Sequence, residues 1–325
     1  MVIMMRNTKL DRTLEIFIRG LKGEGLVTRD LADKYHVENK TISRSIDDLR
    51  AFLADHRDLM GNASLEYSRS TRTYHLHMEE FLSSQELFAV VEVLIGARAF
   101  SQNTLTDLTE KLKQFTTPAD RVRLDNLIRK ELFQYPEIKH DCHSLTDTLW
   151  TLIQCIMEQN EITIGYYRSD RIHAEHNLRP VSLLFNEYYF YLLAFDADGK
   201  YQEPTRFRVD RIDNITRHRT KFTSRDVPAF DEGVLRRENP YMWSGPLRKI
   251  TFEYFGRSVQ AVLDKIPTAR ILEQNGQRAL IEAEVRGDGI TMWILSQGSD
   301  VKVLEPEDFA ATIKEKLQKA LDQYQ

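Results

Sequence analysis

The feature that most restricts this chain is an unbroken run of aromatic and aliphatic residues, Tyr188 to Phe195, inside the stretch RPVSLLFNEYYFYLLAFDADGKYQEPTRFRVDRIDNITRHR that begins at Arg179. Pleating sends successive side chains to opposite faces, so Tyr189, Tyr191, Leu193 and Phe195 share one side while Phe190, Leu192 and Ala194 share the other. Both sides are apolar and both need cover, which predicts a central β-strand. After a turn at Asp198-Gly199, Phe207 and Val209 alternate with Arg206, Arg208 and Asp210, the pattern of a half-buried strand. Between Pro204 and Arg225 seven Lys or Arg stand against two acids, although the chain carries a net charge of −4. A basic patch on a slightly acidic protein points to one specific anionic ligand. The blander alternative makes Tyr191 a core aromatic and pairs the arginines with Asp210, Asp213 or nearby acids.

The order of strand, Phe190-Tyr191-Leu192, acidic-Gly turn and then Arg206-Phe207-Arg208-Val209-Asp210-Arg211-Ile212 resembles the WYL domain, an Sm-like β-barrel module of bacterial transcription regulators. Phe190 stands where that family has Trp, and Arg179-Pro180 fits its pattern upstream. The resemblance implies a sensing site at this motif and carries over Tyr191, Arg206 and Arg208, with Arg179. Tyr167, Arg168 and His176 join these candidates from loop position alone. Guanidinium forks suit phosphate and a tyrosine ring offers a base a surface to stack on, so the expected effector is a nucleotide, cyclic dinucleotide or short single-stranded nucleic acid.

Upstream, Leu10, Leu14, Phe17, Ile18 and Leu21 have the spacing of an amphipathic helix, and Gly23 and Gly25 break it. Thr28 is placed to cap a short helix ending near Tyr35, and Asn39 to cap the next, where Ile42, Ile46, Leu49 and Leu53 form one apolar stripe. Lys40, Thr41, Ser43 and Arg44 lie outside that stripe, as a helix reading the major groove requires. Leu65–Ser68 and Thr73–Leu76 read as strands around a basic tip with Arg69 and Arg72. Residues 9–78 are similar to the winged helix at the front of WYL regulators, which implies duplex DNA as a partner. The alternative is a packed helix pair with a solvated polar face.

Ser83 and Glu86 make a capping box for a helix from about Ser84 to Phe100, followed by helices at roughly Thr104 to Gln114 and Pro118 to Phe133. Leu87, Val90, Val91, Leu94 and Ile95 form so broad an apolar surface that it must be buried, either within this segment or, the expected use, against a second subunit in a homodimer. A helix from Ser144 to Gln159 leads to the strand Ile162 to Tyr167. Residues 228–246 hold Pro228, Gly233, Pro240, Gly245 and Pro246 and read as a linker. Beyond it, the β-α-β-β-α-β-α order is ferredoxin-like. Trp293 through Pro306 (WILSQGSDVKVLEP) resembles the WCX extension that follows many WYL domains.

The expected fold class is thus α+β and multidomain: a winged helix at 1–80, a helical linker or dimerisation region at 81–140, and an Sm-like β-barrel at 141–226. A linker at 227–246 and a ferredoxin-like extension at 247–325 complete it. No P-loop, G-x-S-x-G elbow or Rossmann glycine pattern is present, so no catalytic residue is proposed and no enzyme is expected. Lys139 to His143 offers thiolate, imidazole and carboxylate, but without a metal-ligand spacing, and no metal or cofactor is expected. Two cysteines, Cys142 and Cys155, give no disulfide framework. The first residues are too briefly apolar for a secretory signal, and Leu87 to Ala97 is too short for a membrane span, so a cytoplasmic protein is expected. The reading is a ligand-responsive transcription regulator. Its alternative is a defence-associated or partner-binding adaptor that keeps the fold without reading DNA.

Overall fold

The computed structural model describes residues 8–78, 82–140, 144–199, 203–243 and 245–324. It is a mixed α/β chain with helices towards the N-terminus and several antiparallel sheets, and it divides into two compact units, 1–139 and 140–325. No helix among the described residues is long and apolar enough to cross a membrane.

The first unit opens with α1 (Lys9–Leu21), capped by Thr8 in a reciprocal bond with Asp11. Then come α2 (Thr28–Tyr35), α3 (Asn39–Asp55) and the single turn α4 (Arg57–Met60). The antiparallel hairpin β1 (Ser64–Ser68) and β2 (Thr73–His77) follows, and Leu26 bridges to Tyr74 beside it. Ile16, Leu26, Leu31, Ile42, Ile46, Leu49, Leu53 and Leu65 bury one another, so the α3 stripe read from the sequence is the core. Gly20 permits the close seat of α1 against the hairpin, because a Cβ there would lie 2.8 Å from Leu76 Cβ. Neither expected cap is one. The chain turns at His36 in the left-handed region (φ 54°), and Val27 and Glu38 occupy the cap positions without side-chain bonds. Thr28 and Asn39 are therefore the first helical residues.

Three further helices, α5 (Ser84–Ala97), α6 (Gln102–Lys113) and α7 (Pro118–Phe133), start on the side chains of Ser83, Ser101 and Thr117. The Ser83–Glu86 capping box is present. α5 stops before Phe100 because Arg98 turns left-handed (φ 52°) and Ser101 begins the next helix. Leu87, Val91 and Ile95 pack against Leu105, Leu124 and Ile128, so much of the apolar surface noted in the sequence is covered within this segment.

In the second unit α8 (Leu145–Met157) lies on a five-stranded antiparallel sheet. Its strands are β3 (Asn160–Tyr167), β4 (His173–Asn186), β5 (Tyr189–Asp196), β6 (Thr205–Arg208) and β7 (Ile212–Lys221), in the order β6-β5-β4-β3-β7. β5 is flanked on both sides, as its two apolar faces demand. Leu192 and Ala194 join the core under α8, with Leu152, Ile162, Ile164 and Phe207. Leu193 and Tyr191 face a second cluster with Leu184, Leu235 and Met242. Its cover comes from the stretch read as a linker, where α9 (Glu232–Glu238) forms on an Asp231 cap. The expected barrel is not closed: β6 and β7 are the outer strands, and no pairing joins them among the described residues.

The last sheet combines β8 (Leu247–Tyr254), β9 (Arg270–Asn275), β10 (Arg278–Arg286) and β11 (Val301–Glu305) in the order β11-β8-β10-β9. With α10 (Val259–Lys265), α11 (Ile290–Ser296) and α12 (Glu307–Asp322), the succession is the β-α-β-β-α-β-α expected from the sequence. Ile250, Phe252, Ile281, Ile294 and Phe309 form its core.

One turn interrupts the alternation on which the basic strand was read. After Arg208 the backbone tightens into a 3₁₀ turn, Val209–Arg211, and Asp210 goes inside with 2% of its surface exposed. Arg208 grips it with a two-pronged contact, Nε to Oδ1 at 3.0 Å and Nη2 to Oδ2 at 2.6 Å, while His140 Nδ1 lies 3.4 Å from Oδ2. Burial alone would raise the Asp210 carboxyl, but hydrogen bonds to His140 and Arg208 and the arginine's charge outweigh it and bring it down to about 2. A carboxyl depressed on folding stabilises the protein above its unfolded pKa, and that contribution is lost as pH falls through the folded value. Asp210→Asn should therefore cost about 2 kcal/mol at neutral pH. The gap between wild type and variant should close between about pH 4 and pH 2 in thermal melts; a gap independent of pH would contradict this account.

Candidate functional site

In the first unit the polar face of α3 is exposed at its N-terminal end. Lys40 and Arg44 project from it, and neither meets a carboxylate among the described residues. Thr41 is partly covered and Ser43 donates its hydroxyl to the Asn39 carbonyl at 3.1 Å, so these two are less available than their sequence position implied. Thr28 opens α2, the helix before it. The hairpin tip carries Arg69 and Arg72, both exposed, with Arg72 in the left-handed region at φ 57°.

The hairpin is fixed to the helix by Arg50, which the sequence reading did not single out. Its Nε donates to the Leu65 carbonyl at 2.8 Å, and its guanidinium carbon lies 5.2 Å from the centre of the Tyr74 ring. Through this arginine the orientation of the tip follows that of α3. The signal was faint: Arg50 follows the buried Leu49, and only the fold shows which carbonyl it reaches.

In the second unit the seven candidates fall into separate places. Tyr191 pairs across the ladder with Arg208, and Leu193 with Arg206, so Tyr191, Arg206 and Arg208 share one face of the sheet. That face is not open. Arg208 is held by Asp210 and packs over Tyr189, 3.4 Å from the ring centre. Arg206 is partly buried; desolvation holds its guanidinium below the usual arginine range, with Glu203 opposing and Arg286 adding. Burial likewise pushes the Tyr191 phenol up. Arg286 itself bridges Glu203 and Glu238, which ties the last sheet to α9 and to the loop before β6. Arg179 is occupied by Glu161 at 2.9 Å and by the Asp226 carbonyl at 2.9 Å. His176 turns to the opposite face, against Tyr166 and Phe207, where burial lowers its pKa.

Tyr167 and Arg168 lie elsewhere, in a cleft of about 490 Å³ between the β3–β4 loop and the 3₁₀ turn. Arg171 and Arg211 line it as well. Both stood in the sequence as members of basic stretches, but nothing in the linear pattern indicated that loop and turn meet. Asp141, Cys142 and His143 of the imagined metal run lie outside the described residues. No group of three or more His, Cys, Asp or Glu able to hold a metal ion occurs among the described residues. Cys155 is buried and unpaired.

No curated protein matches the chain in sequence. Among solved structures it is similar to proteasome accessory factor B/C (PafBC) of Arthrobacter aurescens, at 16% identity and a TM-score of 0.28. That match covers 96% of this chain and 46% of the other, so the chain spans less than half the length of that protein. A CRISPR Cas-related protein is similar at 13% identity and a TM-score of 0.42, over 76% of this chain and 74% of that one. Similarity this low decides nothing about architecture, and the domain families are what place the chain. Residues 147–217 match the WYL domain and residues 248–321 the WCX domain, the first on α8 and the five-stranded sheet, the second on the four-stranded sheet and its helices. The chain thus contains a WYL domain followed by a WCX domain.

Proposed function

We propose that this protein is a transcription regulator that binds duplex DNA with its first unit and takes an anionic, phosphate-bearing effector in its WYL domain. In this reading α1 to α3 with the β1–β2 hairpin form a winged helix, and the five-stranded sheet, open between β6 and β7, is an incomplete counterpart of the Sm-like barrel. The observation that carries it is the set of cations on one small domain, Lys40, Arg44, Arg69 and Arg72, none of which meets a carboxylate among the described residues. Cations without internal partners can displace counterions from a phosphate backbone, which supplies most of the affinity of a DNA-binding module. α3 would lie in the major groove and the hairpin tip along the backbone.

The contacts differ in kind, and so do their expected losses. Arg44→Ala should cost about 1–3 kcal/mol and relax sequence preference, as loss of a base-edge contact does. Arg72→Gly keeps the left-handed backbone without strain. It should weaken all sequences alike and lower the slope of affinity against salt by about one. Fluorescence anisotropy on fragments of the genomic DNA around the protein's own coding region measures both. A Lys40/Arg44 double alanine variant that binds as tightly as wild type would remove the DNA-reading assignment.

We also read the protein as a homodimer. After the α5–α7 core is counted, Val93 remains 69% exposed and Phe133 82%, with Val122 and Leu127 also outward. Two-fold symmetry would suit a pair of half-sites. Light scattering should give twice the chain mass at micromolar concentration, and Val93→Glu with Phe133→Glu should reduce it to one; a wild-type monomer with and without DNA would end this part of the reading.

A further inference from the structure

The WYL domain has a cleft lined by cations, distinct from the face of Tyr191, Arg206 and Arg208. The cleft at the end of the sheet, about 490 Å³, falls within the roughly 300–1,000 Å³ of small-molecule sites. It is bounded by the β3–β4 loop on one side and by the 3₁₀ turn with the start of β7 on the other.

Both acids on its walls have a partner, Asp210 an arginine and Asp213 an imidazole, and only the arginine carries a permanent charge. Asp210 is held by Arg208 and lies beside His140, and Asp213 pairs with His173 at 3.1 Å. Among the described residues Arg168 meets one carboxylate, the exposed Asp170, at 3.2 Å. Arg171 and Arg211 meet no carboxylate among the described residues, and Arg211 is half-buried. With Asp210 offset by Arg208, three guanidiniums (Arg168, Arg171, Arg211) stand against Asp170 and Asp213, so the balance at the cleft is positive, and Arg171 and Arg211 are the two that no carboxylate of the described residues neutralises.

Two features show that the walls are built rather than incidental. Arg171 sits in the left-handed region at φ 62°, closed by Arg171 N–H to the Arg168 carbonyl at 2.9 Å and Arg168 N–H to the Ile172 carbonyl at 3.0 Å. Glycine adopts that conformation without strain, so the arginine is held there against its own backbone preference. On the other wall Asp213 pairs with His173 close over Gly165, where a Cβ would come 2.1 Å from Asp213 Oδ1 and 2.9 Å from His173 Nε2. His173 in turn supports the Tyr167 ring at 4.8 Å between centroids, and Tyr167 remains 42% exposed. A propped, half-exposed aromatic ring beside two unneutralised guanidiniums has the makings of a base platform with a phosphate clamp.

We propose that this cleft binds a nucleoside phosphate, with the phosphate on Arg171 and Arg211 and the base on Tyr167. The proposal rests on the reading that the WYL domain takes a phosphate-bearing effector, and it relocates the contact from the motif arginines to this loop and turn. The same group could arrive as a free nucleotide or as the terminal nucleotide of a single strand.

Calorimetric titration of the full chain distinguishes these, with adenosine 5′-monophosphate, adenosine, inorganic phosphate, and a short oligothymidylate with and without a 5′-phosphate as probes. Arg171→Gly removes the guanidinium while relieving the backbone, so it should fold at least as well as wild type. Arg171→Gly and Arg211→Ala should each weaken the phosphorylated probes about tenfold or more. Tyr167→Leu should weaken the nucleotide but not inorganic phosphate, and Arg219→Ala, an exposed cation on β7, should leave every probe unchanged. Tighter binding of the 5′-phosphorylated strand than of the mononucleotide identifies the strand end as the source; the reverse identifies the free nucleotide. Binding that survives Arg171→Gly with Arg211→Ala but is lost in Arg206→Ala overturns the cleft and leaves the effector reading standing. Binding lost with the cleft variants, but without any change in DNA affinity on adding the probe, upholds the cleft and overturns the effector reading. No heat from any probe overturns both.

Discussion

The second unit depends on one strand having to be covered twice. β5 presents Leu192 and Ala194 to the core under α8 and Tyr191, Leu193 and Phe195 to the other side. Buried apolar area is worth about 25 cal/mol per Å², so leaving either face in water would forfeit several side chains' contribution. The second face is covered by chain that has little pattern of its own. Phe230, Leu235 and Met242 are spaced by prolines and glycines, and they form a surface only when laid across the sheet. Asn239, fully buried, holds that segment in shape by donating to the Trp243 carbonyl at 2.6 Å and accepting from its N–H at 3.0 Å. Covering β5 also draws in Arg286 through Glu238 and Glu203, so the WCX sheet is tied to the segment that covers the WYL sheet.

Electrostatics then sorts the arginines. A count of basic residues treats Arg206, Arg208, Arg211 and Arg217 alike, but pairing makes them different. Arg208 serves a buried carboxylate, Arg217 meets Glu158, and Arg206 lies in partly desolvated surroundings near Glu203. A guanidinium in a two-pronged bond to a buried carboxylate is poorly placed to leave it for a ligand, because the carboxylate would remain buried with His140, at 3.4 Å, as its remaining side-chain partner among the described residues. The groups left for an outside anion are those that folding does not use. In the first unit the same test separates Arg50, which joins α3 to the hairpin, from Arg44 and Lys40, which face outward.

Much of this was legible in the chain as written. The α3 stripe, the capping box at Ser83, the hairpin around Arg69 to Arg72 and the whole β-α-β-β-α-β-α succession follow from local periodicity and turn chemistry. β7 did not announce itself. Of its ten residues only Ile212 and Ile215 reach the core under α8, and the basic stretch was read as one strand with Arg206 to Asp210, whereas the 3₁₀ turn ends β6 and β7 is held separately by pairing of Asn214, Ile215, Thr216 and Arg217 with β3. The caps at Thr28 and Asn39 failed for a related reason: whether a residue is the cap or the first helical position depends on the backbone angles of its neighbour, which composition does not specify.

What the sequence determined by itself is what depends on neighbours within a few positions: element type, the buried stripes of helices and strands, and the two domain families those elements spell out. What only the tertiary structure decided is which polar groups are left over. Asp210 shares the polar face of Arg208 in the sequence pattern yet is folded inside against it, while Arg171 and Arg211 are forty positions apart and come to line one cleft. Local pattern is set by the period of the backbone, but the availability of a charge is set by what the rest of the chain brings within about 4 Å of it, and that distance exists only after folding.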